Sequence, residues 1–251
     1  MMYRMQFLNH PKNPDIRQRM QETLHQGQKF IVIEGLDGSG KSTQIELLIA
    51  HFKQRGIETR FIHFPRHNEG VFGQLIARFL RGEFGAVTEV HPQLVALLFA
   101  EDRKEFAKTI EGWLADGYSV LCDRYVFSNI AFQCAKLTDP QAKTKLREWI
   151  LDFEFIYNHI PKPDFSIHLS VPFSFTEQAL NARMTTQARE YLDGAHDIHE
   201  KDFSLQRAVK QEYENLVATD ASIVNVVCHD ANDNMLPVAE IHQRILKAID
   251  H

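Results

Sequence analysis

The stretch GLDGSGKST, residues 35–43, limits what this chain can fold into more than any other. Gly35 and Gly40 enclose four residues and are followed at once by Lys41 and Ser42. An apolar run, KFIVIE (29–34), leads in. A segment with helical spacing leads out, with Ile45, Leu48, Ile49 and Phe52 on one side. A strand that turns through glycines into a helix gathers backbone N–H groups and the positive end of the helix dipole around one point. Such a loop holds phosphate. Gly35, Asp37, Gly38, Ser39, Gly40, Lys41, Ser42 and Thr43 are therefore expected to cradle ATP. Lys41 would be the point charge on the outer phosphates and Ser42 a ligand to Mg²⁺.

Four further apolar runs read as buried strands: TRFIHF (59–64), SVLCD (119–123), FSIHLS (165–170) and SIVNVV (222–227). They are rich in Val, Ile and Phe, as strands covered on both faces are. Helical segments lie between them. The long one, HPQLVALLFAEDRKEFAKTIEGWLADG, is expected to turn Leu94, Leu97, Leu98, Ala107, Ile110 and Leu114 inward. PVAEIHQRILKAID closes the chain, with Pro237 at its start. Alternating strands and helices imply an α/β protein with a P-loop three-layer fold, in which a five-stranded parallel sheet carries helices on both faces. No repeat or break in composition divides residues 29–251, so one domain is expected there. Residues 184–202, MTTQAREYLDGAHDIHEKD, are polar and carry a central glycine, and read as a short lid over the site. Residues 1–28 read as a helical extension: Asn13 caps, Pro14 fits the first turn, Ile16, Met20 and Leu24 form a stripe, and Gly27 ends it.

Charge and composition narrow the function. A net charge of −5 argues against a protein that coats nucleic acid. No run approaches the roughly 20 apolar residues of a membrane span. The N-terminus lacks the continuous apolar core of a secretory signal. Cys122, Cys134 and Cys228 are far apart and odd in number, which fits reduced, buried thiols in a cytoplasmic protein.

The acceptor of the phosphate is signalled elsewhere. VLCDRY is a strand that ends in Asp123, where a carboxylate would lie beside Mg²⁺. Arg66, Arg103 and Arg124 stand at strand ends or on a helix that can face the cleft, and ligands in such sheets bind at that edge. Arginines in addition to the P-loop lysine suit two anionic substrates, as in a small-molecule kinase.

Four segments, EGLDGSGKSTQ, FPRHNEGVFGQLIARFLRGEFG, LLFAEDR and DRYVFSNIAFQ, occur in this order. Together they resemble the thymidylate kinase family, P-loop nucleoside monophosphate kinases that phosphorylate dTMP to dTDP with ATP. The resemblance runs from about residue 29 to the C-terminus and is weakest in the lid. It implies that Asp37 accepts a hydrogen bond from the 3′-hydroxyl of the acceptor and that Tyr125 fills the space beside the sugar. It implies that Arg66 and Arg124 grip the acceptor phosphate and that Phe99 stacks on the base while Arg103 bonds its edge. Ser128 and Gln133 would read the thymine ring. Some members carry arginine directly after the P-loop aspartate, where this chain has Gly38; the family's other arrangement puts basic residues in the lid, here Arg183 and Arg189. The family also implies a homodimer. Two other readings stay open at this point: a deoxynucleoside kinase or another nucleoside monophosphate kinase, and a nucleotide-binding protein without turnover.

Overall fold

The computed structural model describes residues 28–67, 69–186, 192 and 197–250, with the side chains of 183–186 and 201 left out. The helical reading of residues 1–27 lies outside them. Five strands form one parallel sheet: β1 (Phe30–Glu34), β2 (Thr59–His63), β3 (Ser119–Asp123), β4 (Phe165–Ser170) and β5 (Ile223–Val227), in the order β2-β3-β1-β4-β5. The strand runs expected from sequence are therefore present, to within a residue at their ends. The α/β class follows from why they are buried. Phe30 and Val32 of β1 point to one face, Ile31 and Ile33 to the other, and all four are 0–1% exposed. At about 1.5–3 kcal/mol for each large apolar side chain removed from water, this one strand anchors both layers.

Among the described residues, the helices are α1 (Lys41–Gln54), α2 (Gly70–Leu80), α3 (Pro92–Ala115), α4 (Val126–Cys134), α5 (Pro140–Leu151), α6 (Phe173–Thr186), α7 (Ile198–Lys201), α8 (Phe203–Thr219) and α9 (Val238–Ile249). Helices α1 and α9 cover the Ile31/Ile33 face, through Ile45, Leu48, Ile241 and Ile245. Helices α3, α4 and α8 cover the other, through Ala107, Ile110, Ile130, Val209 and Tyr213. In α3, Ala107 and Ile110 face inward as expected, but Leu94 does not: it is 59% exposed, while its neighbours Val95 and Ala96 are buried. The first turn of α3 packs through Val95 against Ile76, Phe79 and Leu80 of α2. Directly after α5 the chain continues as a π-helix, Asp152–Tyr157, which buries Glu154. No described helix is long and apolar enough to cross a membrane.

Register puts the chemistry at one edge. Asp123 sits opposite Ile33 of β1 and His63 of β2, so the loops after all three strands open on the same side.

Candidate active site

Residues 35–40 link β1 to α1 as the sequence predicts. Gly40, the residue before α1, has φ +86 and Gly38 has φ +74, a region that side chains rarely adopt. A Cβ on Gly38 would also lie 2.7 Å from the Cβ of Ala179 in α6. The absence of an arginine here thus has a steric cause: α6 fills the space beside the loop. Lys41 is buried and its Nζ donates to the carbonyls of Leu36 (2.9 Å) and Gly35 (3.4 Å). It lies 3.9 Å from Asp123 Oδ1.

Asp123 is buried at the end of β3, and its Oδ1 has no hydrogen-bond partner. His63 Nδ1 lies 3.4 Å from Oδ2. Burial opposes its charge, but Lys41, His63 and Arg124 outweigh that and hold its pKa below the usual carboxylate value. A buried, ionised oxygen beside the phosphate loop and the Ser42 hydroxyl suits a hard divalent cation.

Arg124 follows with φ +67, a strained conformation for a residue with a Cβ. That backbone turns the guanidinium into the cleft. Nη2 donates to Asp37 Oδ1 at 2.7 Å and Nη1 to Ser128 Oγ at 3.1 Å. Asp37 Oδ2 in turn accepts from Gln206 Nε2 of α8 at 3.0 Å, and the same nitrogen donates to the His199 carbonyl of α7, also at 3.0 Å. Beneath Arg124 lies Glu34, 0% exposed, which accepts from the Tyr125 amide (3.0 Å), the Tyr213 hydroxyl (3.0 Å) and the Ser128 hydroxyl. Burial raises its pKa.

The structure gathers most of the expected residues around one cavity of about 410 Å³. Asp37, Gly38, Ser39, Gly40, Lys41, Ser42, Thr43, Phe99, Arg103, Asp123, Arg124, Tyr125, Ser128 and Gln133 all line it. Others are placed differently. Gly35 lies behind the loop, packed toward Ser39 and the Leu169 carbonyl. The guanidinium of Arg66 is taken by carboxylates: Nε donates to Asp102 Oδ1 (3.0 Å) and Nη2 to Glu105 (3.0 Å), over the Phe106 ring. Arg66 is absent from the cavity lining, and its backbone N–H also bonds Asp102, so it braces the loop after β2 against α3. The Ser128 hydroxyl donates to Glu34 and accepts from Arg124, so it supports the arginine. Tyr125 reaches the cavity wall, but its hydroxyl donates to the Pro161 carbonyl (3.0 Å) and its ring packs on Phe30 and Phe64. Arg103 is clamped by Glu154 of the π-helix, Nε to Oε2 at 2.6 Å. Arg183 lies on α6 with its side chain outside the described residues, and Arg189 lies wholly outside them.

Several lining residues escaped the sequence reading: Asn129, Phe132 and His199. Asn129 stands one helical turn before Gln133, and Phe132 one turn after Ser128, so helical spacing from the expected residues would have found both. His199 is buried, stacked on Phe132 with ring centroids 5.3 Å apart. Burial holds its pKa well below the ordinary histidine value. No local pattern announced it.

Comparison with known proteins gives a consistent result. The family described as thymidylate kinase matches residues 33–245. The thymidylate kinase of Mycobacterium tuberculosis is 35% identical over 190 residues, 75% of this chain and 86% of that protein. A probable thymidylate kinase of Pyrococcus abyssi is 31% identical over 226 residues, 88% of this chain and 96% of that one. Among solved structures, thymidylate kinase from Candida albicans superposes with a TM-score of 0.62 at 24% identity, covering 89% of this chain and 91% of the other, which supports the fold.

Proposed function

Since the chain belongs to the thymidylate kinase family and so phosphorylates dTMP to dTDP with ATP, we propose how its cleft divides the two substrates. The P-loop from Asp37 to Thr43 takes the triphosphate of ATP, with Lys41 on its outer phosphates. Arg124 takes the phosphate of dTMP, its fork donating two bonds to one anion. Asp37, held beside it, accepts from the sugar 3′-hydroxyl. Phe99 stacks on the base, Arg103 meets its edge, and the unpartnered Asn129 Oδ1 accepts from the ring N–H.

Catalysis on this reading is placement and charge neutralisation. An oxygen of the acceptor phosphate is already nucleophilic, so no general base is needed. Arg124 and Lys41 hold the two anions end to end against their repulsion. Ser42 and Asp123 would hold Mg²⁺, which when bound neutralises charge on the bridging phosphate oxygens.

The lid supplies the remaining cations in this reading, through Arg183 or Arg189. Arg183 is favoured by position in the sequence: it stands on α6 four residues after Ala179, the residue against Gly38. Arg183→Ala is expected to lower kcat by about 10²-fold while the KM for dTMP holds, the mark of a contact made only in the transition state. Unchanged kcat would remove Arg183 from this role.

We further infer a homodimer, with the exposed Val71 of α2 and Leu94 of α3 available as apolar surface, and light scattering reads this directly. Three free, buried cysteines suit a reducing cytoplasm.

The observation that carries the reading is the convergence on one cavity of Lys41, the orphan oxygen of Asp123, and Arg124 bonded to the P-loop carboxylate. Calorimetric titration of dTMP and of thymidine onto the protein saturated with a non-hydrolysable ATP analogue tests it. A dTMP affinity at least about tenfold above that of thymidine is expected from a charge-assisted contact of roughly 1.5–3 kcal/mol. Equal affinities would show that no cation in the cleft meets the acceptor phosphate.

A further inference from the structure

Two carboxamides stand one turn apart on α4 and line the acceptor cavity, Asn129 and Gln133. Their surroundings set which end of each is free. Asn129 spends its Nδ2 on the Ala96 carbonyl and Glu154 Oε1, both at 3.0 Å, leaving its buried Oδ1 without a partner. In Gln133 the polarity is reversed. Its Oε1 accepts from Lys136 Nζ at 2.8 Å, and no described residue accepts from its Nε2. A lysine ammonium has donors and no acceptor, so it can face only the oxygen end of an amide. The orientation of Gln133 is thus dictated by chemistry.

Lys136 is otherwise hard to explain. Its Nζ lies 5.0 Å from the centre of the Phe79 ring, and among the described residues Gln133 is its hydrogen-bond partner, with no carboxylate paired to it. Burial pushes its pKa down to about 7. A half-buried cation in such a place is costly unless it serves its partner.

We propose that Lys136 is a positioning residue for base selection: by holding Gln133 Oε1 it turns the Gln133 N–H groups into the cleft. Helix α4 then presents an acceptor at Asn129 and a donor at Gln133. That pair matches a ring N–H beside a carbonyl, the imide edge of thymine or uracil. An aminopyrimidine such as cytosine puts a bare ring nitrogen at that place, and its lone pair would face Asn129 Oδ1. The inference rests on the assignment of this cavity to dTMP made above, and it adds the residue that sets the polarity of the reader.

Steady-state kinetics with dTMP and dCMP on the full chain test it, with thermal melting as the control for folding. Gln133→Ala is expected to lower the ratio of kcat/KM for dTMP over dCMP by about tenfold or more. Lys136→Met, which keeps the apolar stem over Phe79, is expected to lower the same ratio by about tenfold through the KM for dTMP, with kcat and the KM for ATP within about twofold. Lys136→Arg, which can still donate to Oε1, is expected to restore most of the ratio. In the Gln133→Ala background, Lys136→Met is expected to change nothing further, because the lysine acts through the amide. Should Lys136→Met melt near room temperature, Lys136→Arg and Gln133→Glu carry the test, since both keep a partner for the site. Gln133→Glu presents only acceptors and is expected to lose dTMP selectivity at least as far as Gln133→Ala. A normal ratio in Lys136→Met, or multiplied effects in the double variant, would overturn the role of Lys136 while leaving the cavity assignment intact. A normal ratio in Gln133→Ala would overturn the base-reading roles of both Gln133 and Lys136.

Discussion

Arg124→Ala is expected to lower kcat/KM for dTMP by about 30-fold to several thousandfold, because truncating one partner of a buried, hydrogen-bonded charge pair costs roughly 2–5 kcal/mol. The guanidinium is joined to both the P-loop carboxylate Asp37 and the Ser128 hydroxyl. Its removal does three things at once. The acceptor phosphate loses its fork. Asp37 loses the partner that holds its carboxylate beside the cleft. Glu34, already resisting ionisation through burial, loses the nearby positive charge that favours its anion. Arg124→Lys is expected to recover little, since an ammonium lacks the planar fork that meets one phosphate with two parallel bonds while holding Asp37 and Ser128. Kinetics at varied dTMP, with dTMP binding followed by calorimetry, check this. Retention of wild-type kcat/KM would place the acceptor phosphate elsewhere.

Lys41→Ala is expected to act on a different quantity. Here kcat should fall by about 10²–10³-fold, the loss seen when one preorganised donor to a developing charge is removed, while dTMP affinity stays near wild type. The lysine also props up Asp123, whose pKa it helps hold down against burial. The sign of the stability change follows. A carboxylate with a depressed folded-state pKa stabilises the native protein above the unfolded value of about 3.9, and that contribution fades as pH falls through the lower folded value. Lys41→Ala removes the main cause of the depression. Its melting temperature should therefore fall most, relative to wild type, at neutral pH, and the gap should narrow as pH drops below about 4. A gap independent of pH would mean that Lys41 and Asp123 are not electrostatically linked.

What could be read from sequence was what is local. The P-loop is written within nine residues, and its flanking strand and helix need only their own apolar spacing. The five strands were legible because both faces of each central strand are covered, which leaves near-continuous apolar runs. What sequence did not show were contacts to partners far along the chain. Arg66, expected on the acceptor phosphate, meets carboxylates that sit 36 and 39 residues later on α3. Ser128, expected at the thymine ring, donates to Glu34, 94 residues away. Glu34 itself reads as the polar end of a strand; its third donor, Tyr213, comes from 179 residues downstream. Leu94 failed for another reason. Helical periodicity identifies a stripe but not which of several adjacent apolar residues takes the buried side, here Val95 and Ala96.

The single amide of Gln206 joins two places far apart in the chain. Its nitrogen donates to the P-loop carboxylate and to a main-chain oxygen of the four-residue helix α7. One planar NH₂ group satisfies both only while their separation is kept. If α7 withdraws, either Asp37 or the His199 carbonyl forfeits a donor. The strand that carries the phosphate loop is thereby tethered to α7, and displacement of that helix has a cost at the Asp37 carboxylate.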